Sequence, residues 1–136
     1  MDCIFCKIIR GEIPSAKIFE NESVYAFLDI GPVSQGHCLL VPKEHAAVLD
    51  TCRPELLAEL GRCLGVVAKA VVRGVGAPGY NILCNNARCA GQLVDHVHFH
   101  IIPRWPEDGV FNRWPAKTYS SGEMEKVAQA ITACFD

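Results

Sequence analysis

Two periods run through the apolar positions of this 136-residue chain. Leu56, Leu57, Leu60, Leu64, Val67 and Val71 recur every three or four residues, the spacing of one face of an α-helix. The stripe predicts a long helix over residues 51–73, with Thr51 as its cap and Pro54 and Glu55 in its first turn. Gly74, Gly76, Pro78 and Gly79 end it. Met124, Val127, Ala128, Ile131 and Phe135 form a second stripe, opened by the capping-box spacing Ser120-Ser121-Gly122-Glu123. Residues 3–10 have room for one or two helical turns before Gly11 and Pro14. Short apolar segments of strand length fall at 16–20, 24–30, 37–41, 80–84 and 95–102, and Pro103 with Pro106 stops the last. Sequential strands with short connections favour antiparallel pairing. The expected fold is therefore α+β: a five-stranded antiparallel sheet, one long helix covering its apolar face, and a C-terminal helix.

The last strand carries residues that packing does not call for. In Asp95-His96-Val97-His98-Phe99-His100-Ile101-Ile102-Pro103 the histidines stand two apart. On a strand all three imidazoles then point to one face, and Val97, Phe99 and Ile101 to the other. The rings would be roughly 6–7 Å apart, at about 3.3 Å of rise per residue. Imidazole is the commonest metal ligand among side chains and titrates near neutral pH. The row suits either a metal or a nucleophile with acid/base partners, and spacing alone does not choose.

Composition narrows the classes of function. The length allows one domain with a single core. A formal net charge of −2 gives no basic footprint for nucleic acid. The most apolar segments, 38–41 and 64–72, are far too short to span a bilayer. The run Met1-Asp2-Cys3-Ile4-Phe5-Cys6-Lys7 lacks the apolar core of a signal peptide. The expectation is a cytoplasmic protein, with the nucleus as a second compartment, and no nucleic-acid or membrane partner. There, eight cysteines are thiols or metal ligands rather than disulfides. Cys38, Cys52, Cys63, Cys84 and Cys134 sit among apolar neighbours and read as small buried hydrophobes. Cys3-x-x-Cys6 has zinc-ligand spacing; a tetrahedral site needs two more ligands, and without them the pair is two buried thiols.

The run Gln92-Leu93-Val94-Asp95-His96-Val97-His98-Phe99-His100-Ile101-Ile102 resembles the signature of the histidine triad family of nucleotide hydrolases and transferases. Cys3-Ile4-Phe5-Cys6-Lys7-Ile8-Ile9-Arg10-Gly11-Glu12-Ile13-Pro14 resembles the opening of its Hint branch. Ala26-Phe27-Leu28-Asp29-Ile30-Gly31-Pro32 and Gly36-His37-Cys38-Leu39-Leu40-Val41-Pro42-Lys43 follow in the family's order. The resemblance covers residues 3–104. Residues 105–136 become a C-terminal extension whose helix is expected to pack on the same domain.

The resemblance implies a HIT-like fold, a homodimer, and hydrolysis of purine nucleoside 5′-monophosphoramidates through a nucleotidyl-histidine intermediate. A Fhit-like dinucleoside polyphosphate hydrolase is one alternative, and a non-catalytic nucleotide-binding regulatory module is another. By resemblance His98 is the nucleophile, and His100 and His37 orient it and touch phosphate oxygens. Asn85 lies near the leaving group, and the loop at Gly91, Gln92 and Leu93 offers backbone N–H groups to phosphate. Leu93 departs from the serine of the Hint pattern and the threonine of the Fhit pattern. It keeps the backbone N–H and loses the hydroxyl. Asp29 matches the carboxylate that accepts the ribose hydroxyls. Ile4, Phe5, Ile8, Phe27 and Ile30 match the walls of the base pocket. Members with the N-terminal cysteine pair bind a structural zinc through the positions of Cys3, Cys6, His45 and His96. No catalytic cofactor is implied.

Overall fold

A computed structural model describes residues 3–111 and 113–136; Met1 and Asp2 of the N-terminal run, and Asn112, lie outside them. A short helix α1 (Ile4–Ile9) leads into β1 (Lys17–Glu20), β2 (Val24–Leu28) and β3 (Cys38–Pro42). The long helix α2 (Pro54–Val75) follows, then β4 (Gly79–Leu83), β5 (Phe99–Arg104) and α3 (Glu123–Thr132). The five strands form one antiparallel sheet in the order β1-β2-β3-β5-β4. The expected class, strand count and long helix are those of the structure.

Both faces of the sheet are covered at β2 and β3. Val24 and Ala26 of β2 and Cys38 and Leu40 of β3 share a core with Leu56, Leu60, Cys63 and Val67 of α2. Burying each leucine or valine there stabilises the fold by about 1.5–3 kcal/mol. Tyr25 and Phe27, opposite Val41 and Leu39 in the ladder, form a second core with Phe5 and Ile8 of α1. The N-terminal helix thus closes the face that α2 leaves open, and β2 is buried on both sides until Leu28.

Register then gathers the chemistry. His100 pairs with Leu39, so its side chain shares the α1 face. His37 stands two residues before Leu39, and Asp29 two after Phe27, so both extend that face.

Several boundaries differ from expectation. Thr51 does not cap α2: it ends a separate 3₁₀ turn (Leu49–Thr51), and its hydroxyl donates to the Val48 carbonyl at 2.7 Å. Regular β5 begins only at Phe99, because β3 pairs with it no further than Leu40↔Phe99. The alternation still holds through the irregular stretch: Val97 and Ile101 lie in the α2 core with Phe99 against it. Pro103 sits inside β5 instead of stopping it. Past Ile101 the strand pairs only with β4, so no ladder on the β3 side needs the missing N–H. Ser120 donates its N–H to Glu123 at 2.9 Å, but α3 starts at Glu123 itself, so this serine does not cap it. No residue of α3 is buried, and Ile131 and Phe135 are 57% and 77% exposed. The expected packing of this helix on the domain is not made within the chain. Cys134 is also exposed and Cys84 half-buried, while Cys38, Cys52 and Cys63 are buried as expected. Among the described residues no helix is long and apolar enough to cross a membrane.

Candidate active site

Between α1, the end of β2 and the start of β5 lies a cavity of about 340 Å³. Ile4, Phe5, Ile8, Phe27 and Ile30 line its apolar part. Asp29, Asn85, Gly91, Leu93, His98 and His100 line the rest. Phe5 holds His98 edge-on, ring centroids 5.1 Å apart, and His98 meets His100 at the same separation. His37 is buried behind His100 and does not reach the wall, and neither does Gln92. A second groove of similar volume, about 330 Å³, lies between Ile18, Leu28 and the C-terminal half of α2, but no titratable side chain lines it.

Hydrogen-bond partners fix the proton positions on the rings, since a neutral imidazole carries one N–H and one bare nitrogen. His98 Nδ1 lies 2.7 Å from the His96 carbonyl oxygen, which can only accept. Nδ1 therefore carries the proton and Nε2 is bare. His96 Nε2 lies 2.8 Å from the Pro42 carbonyl oxygen, so its Nδ1 is the bare atom. Burial pushes His100 down to about 4 and lowers His37 as well, against the pull of the Asp29 carboxylate. Both rings are neutral at pH 7.

The bare Nδ1 of His96 points at the N-terminal cysteines. It lies 3.4 Å from Cys3 Sγ, 3.6 Å from Cys6 Sγ and 3.1 Å from His45 Nδ1. Cys6 Sγ is 3.4 Å from His45 Nδ1. Ligands of a tetrahedral zinc stand about 3.3–3.8 Å apart, given bonds of about 2.0–2.3 Å; the three sulfur–nitrogen separations fall in that range and the imidazole pair lies just short of it, so the four residues suit the ion. Burial and the Cys3 thiol raise Cys6, the direction a dication would reverse. Asp29, His37 and His100 also bring ligand atoms within 4.8 Å of one another. Three of their four ring nitrogens are already engaged, however: Val33 N–H donates to His37 Nδ1 at 3.1 Å, and His37 Nε2 lies 2.9 Å from His100 Nδ1.

The loop before β5 is held by Gln92, whose side chain is buried. Its Oε1 accepts the Ala87 N–H at 2.7 Å, and its Nε2 donates to the carbonyls of Ala47 and Val94 at 2.6 and 3.0 Å. The backbone N–H groups of Gly91 and Gln92 donate to Arg88 and Ala87 within the loop. They are not free for an anion, contrary to the sequence reading, and Gln92 acts as a clamp. Gly91 has φ +95°, and a Cβ there would lie 3.4 Å from Asn85 Nδ2.

Comparison with known proteins agrees with this geometry. Residues 10–107 match the model of the HIT domain. The chain belongs to the histidine triad family. Adenosine 5′-monophosphoramidase hnt1 of Schizosaccharomyces pombe is 45% identical over 134 residues, 98% of each chain. The crystal structure of a HIT family member from Bacillus subtilis superimposes with a TM-score of 0.92 at 37% identity, covering 100% of this chain and 99% of that one. A zinc-bound histidine triad family protein from Mycobacterium smegmatis gives a TM-score of 0.77 at 35% identity, covering 98% of each.

Within this family framework the structure separates the histidines that sequence spacing made equivalent. His98 and His100 face the cavity, His96 faces the cysteines, and His37 supports His100. The sequence reading missed Ser15, Leu39 and Val94 on the cavity wall and the Val33 amide behind it. Leu39 was within reach, because the opposite of a site residue in the ladder shares its face. A backbone amide leaves no signature in a sequence.

Proposed function

We propose that this protein hydrolyses purine nucleoside 5′-monophosphoramidates by way of a covalent nucleotidyl-His98 intermediate. The observation that carries the reading is the bare Nε2 of His98, presented to a cavity with an apolar slot on one side and a carboxylate on the other. The slot of Phe5, Ile8 and Phe27 suits the face of a purine. Asp29 keeps one oxygen on the Gly31 N–H at 2.8 Å and still has acceptor positions for a vicinal diol. With the base and ribose so placed, the α-phosphorus falls before His98. The Nε2 lone pair forms the N–P bond, and the P–N bond to the amine breaks. The amine leaves with the bonding pair and takes a proton from solvent at the open mouth, where Leu93 is 79% exposed and offers no hydroxyl. Water then attacks phosphorus, giving the nucleoside monophosphate and free His98. Two displacements replace one harder step.

A structural zinc held by Cys3, Cys6, His45 and His96 supports this site from below. It supplies folding energy and takes no part in the displacement. The relative named as a phosphoramidase and the zinc-bound family member support these two readings. A cytoplasmic homodimer is part of the same proposal; the edge strand β4, which exposes Tyr80 and Ile82, supports the dimer.

Rapid-quench intact-mass measurement with an adenosine 5′-phosphoramidate tests the chemistry. The expected result is a transient mass increase equal to one AMP moiety, absent in His98→Ala. AMP release with no adduct in single turnover would sink the covalent route. Faster turnover of diadenosine polyphosphates than of phosphoramidates would move the protein to the other hydrolase class.

A further inference from the structure

The orientation of His37 is set from its hidden side. The Val33 N–H is 3.1 Å from His37 Nδ1. A backbone amide has a proton to give and no lone pair to accept with, so that Nδ1 must be bare. The proton of the neutral ring is then on Nε2, which lies 2.9 Å from His100 Nδ1. Two nitrogens this close share one proton, and here His37 supplies it. His100 Nδ1 is consequently the acceptor, and the proton of His100 is on Nε2, the atom left to face the cavity. Asp29 Oδ2, 3.6 Å from His37 Nε2, favours the same polarity, since a carboxylate beside a bare nitrogen would set lone pair against lone pair. The reverse chain would need a proton on His37 Nδ1, directly against the amide proton of Val33.

The loop carrying this amide is fixed at three points. Ser34 Oγ donates to the Pro103 carbonyl at 2.7 Å, and the His37 N–H donates to Ser34 O at 3.1 Å. Gly36 has φ +88° and lies against Val75 of α2, where a Cβ would come within 2.8 Å of a methyl carbon. The Val33 side chain itself is half exposed. What the position contributes is its main-chain N–H.

We propose that the Val33 backbone amide is a positioning group of the active site: it fixes His37 as the Nε2–H tautomer and, through His37, makes His100 a hydrogen-bond donor toward the bound phosphoryl group. The last link rests on the nucleotide reading of the cavity; the tautomer of His37 does not. Losing a preset donor to a developing phosphoryl charge costs on the order of 10²-fold in rate.

The test compares wild type, Val33→Ala, which keeps the amide proton, and Val33→Pro, which removes it. Ring-nitrogen NMR of ¹⁵N-histidine-labelled protein reads the tautomers directly. The expected result is a bare Nδ1 on His37 in wild type and Val33→Ala. In Val33→Pro, signal moves toward the Nδ1–H form, kcat falls on the order of 10²-fold, and the affinity for AMP changes less than about threefold. A side-chain or packing role would instead show in Val33→Ala, or as lost AMP affinity. An unchanged tautomer and kcat in a folded Val33→Pro overturns the proposal. If that variant does not fold, wild type decides: a protonated His37 Nδ1 overturns the proposal and a bare one upholds it. Wild type with the expected tautomer but no phosphoramidate turnover would defeat the nucleotide reading and leave the His37 assignment standing.

Discussion

A carbonyl oxygen two residues upstream accepts a hydrogen bond from His98 Nδ1–H, and this is what leaves its other nitrogen bare. His98→Ala removes that nitrogen and the ring's edge contact with Phe5, and leaves Ile8, Phe27 and Asp29 in place. Turnover of an adenosine phosphoramidate is expected to fall at least about 10³-fold. The affinity for AMP, measured by calorimetry, is expected to stay within a few-fold of wild type. Turnover within tenfold of wild type would remove His98 from the mechanism. At this scale the sequence marked candidate residues but not what each one contacts. Three histidines at a spacing of two look alike in a string of letters. Their different partners, a carbonyl for His98, thiols for His96 and a second imidazole for His100, come from segments 63 to 93 residues away or from the main chain.

α1 is six residues long, too short to be stable as an isolated helix. It is held by Phe5 and Ile8 in the second core and by Cys3 and Cys6 beside His45 and His96. About one zinc per chain is expected by elemental analysis. Chelation, or Cys3→Ser with Cys6→Ser, should lower the melting temperature, because binding energy at a structural site is folding energy. An unchanged melting temperature in the metal-free protein would leave these cysteines as ordinary thiols. The elements themselves divide by how local their signals are. α2 was legible because its stripe keeps one period from Leu56 to Val71, and Leu56, Leu60 and Val67 of that stripe are buried. The start of β5 was not, because alternation continues from His96 while the ladder that defines the strand depends on where β3 ends. The C-terminal stripe was read correctly as amphipathic, but sequence does not say against what such a stripe packs.

Among the described residues, the apolar surfaces without a partner include the β4 edge and the stripe of α3. Sedimentation equilibrium is expected to give twice the mass of one chain at micromolar concentration; a single-chain mass would contradict the homodimer. Stability should also depend on acid in a defined direction. His37 and His100 titrate lower in the fold than in the unfolded chain, where the ordinary value is 6.5. Below that value the unfolded chain takes up protons that the fold refuses, so acid favours unfolding. For His100 the loss accrues between about 6.5 and about 4 and then levels off. Melting temperatures across that window should fall as pH falls, and less steeply in His100→Gln; equal slopes would contradict the assignment. One further consequence lies in His96. Its ring faces the metal ligands, and its carbonyl anchors the nucleophile. On the proposed zinc reading, a batch of this protein is expected to be a mixture of competent and slackened molecules in the ratio of its metal loading, so that its specific activity would count zinc atoms more faithfully than it counts chains.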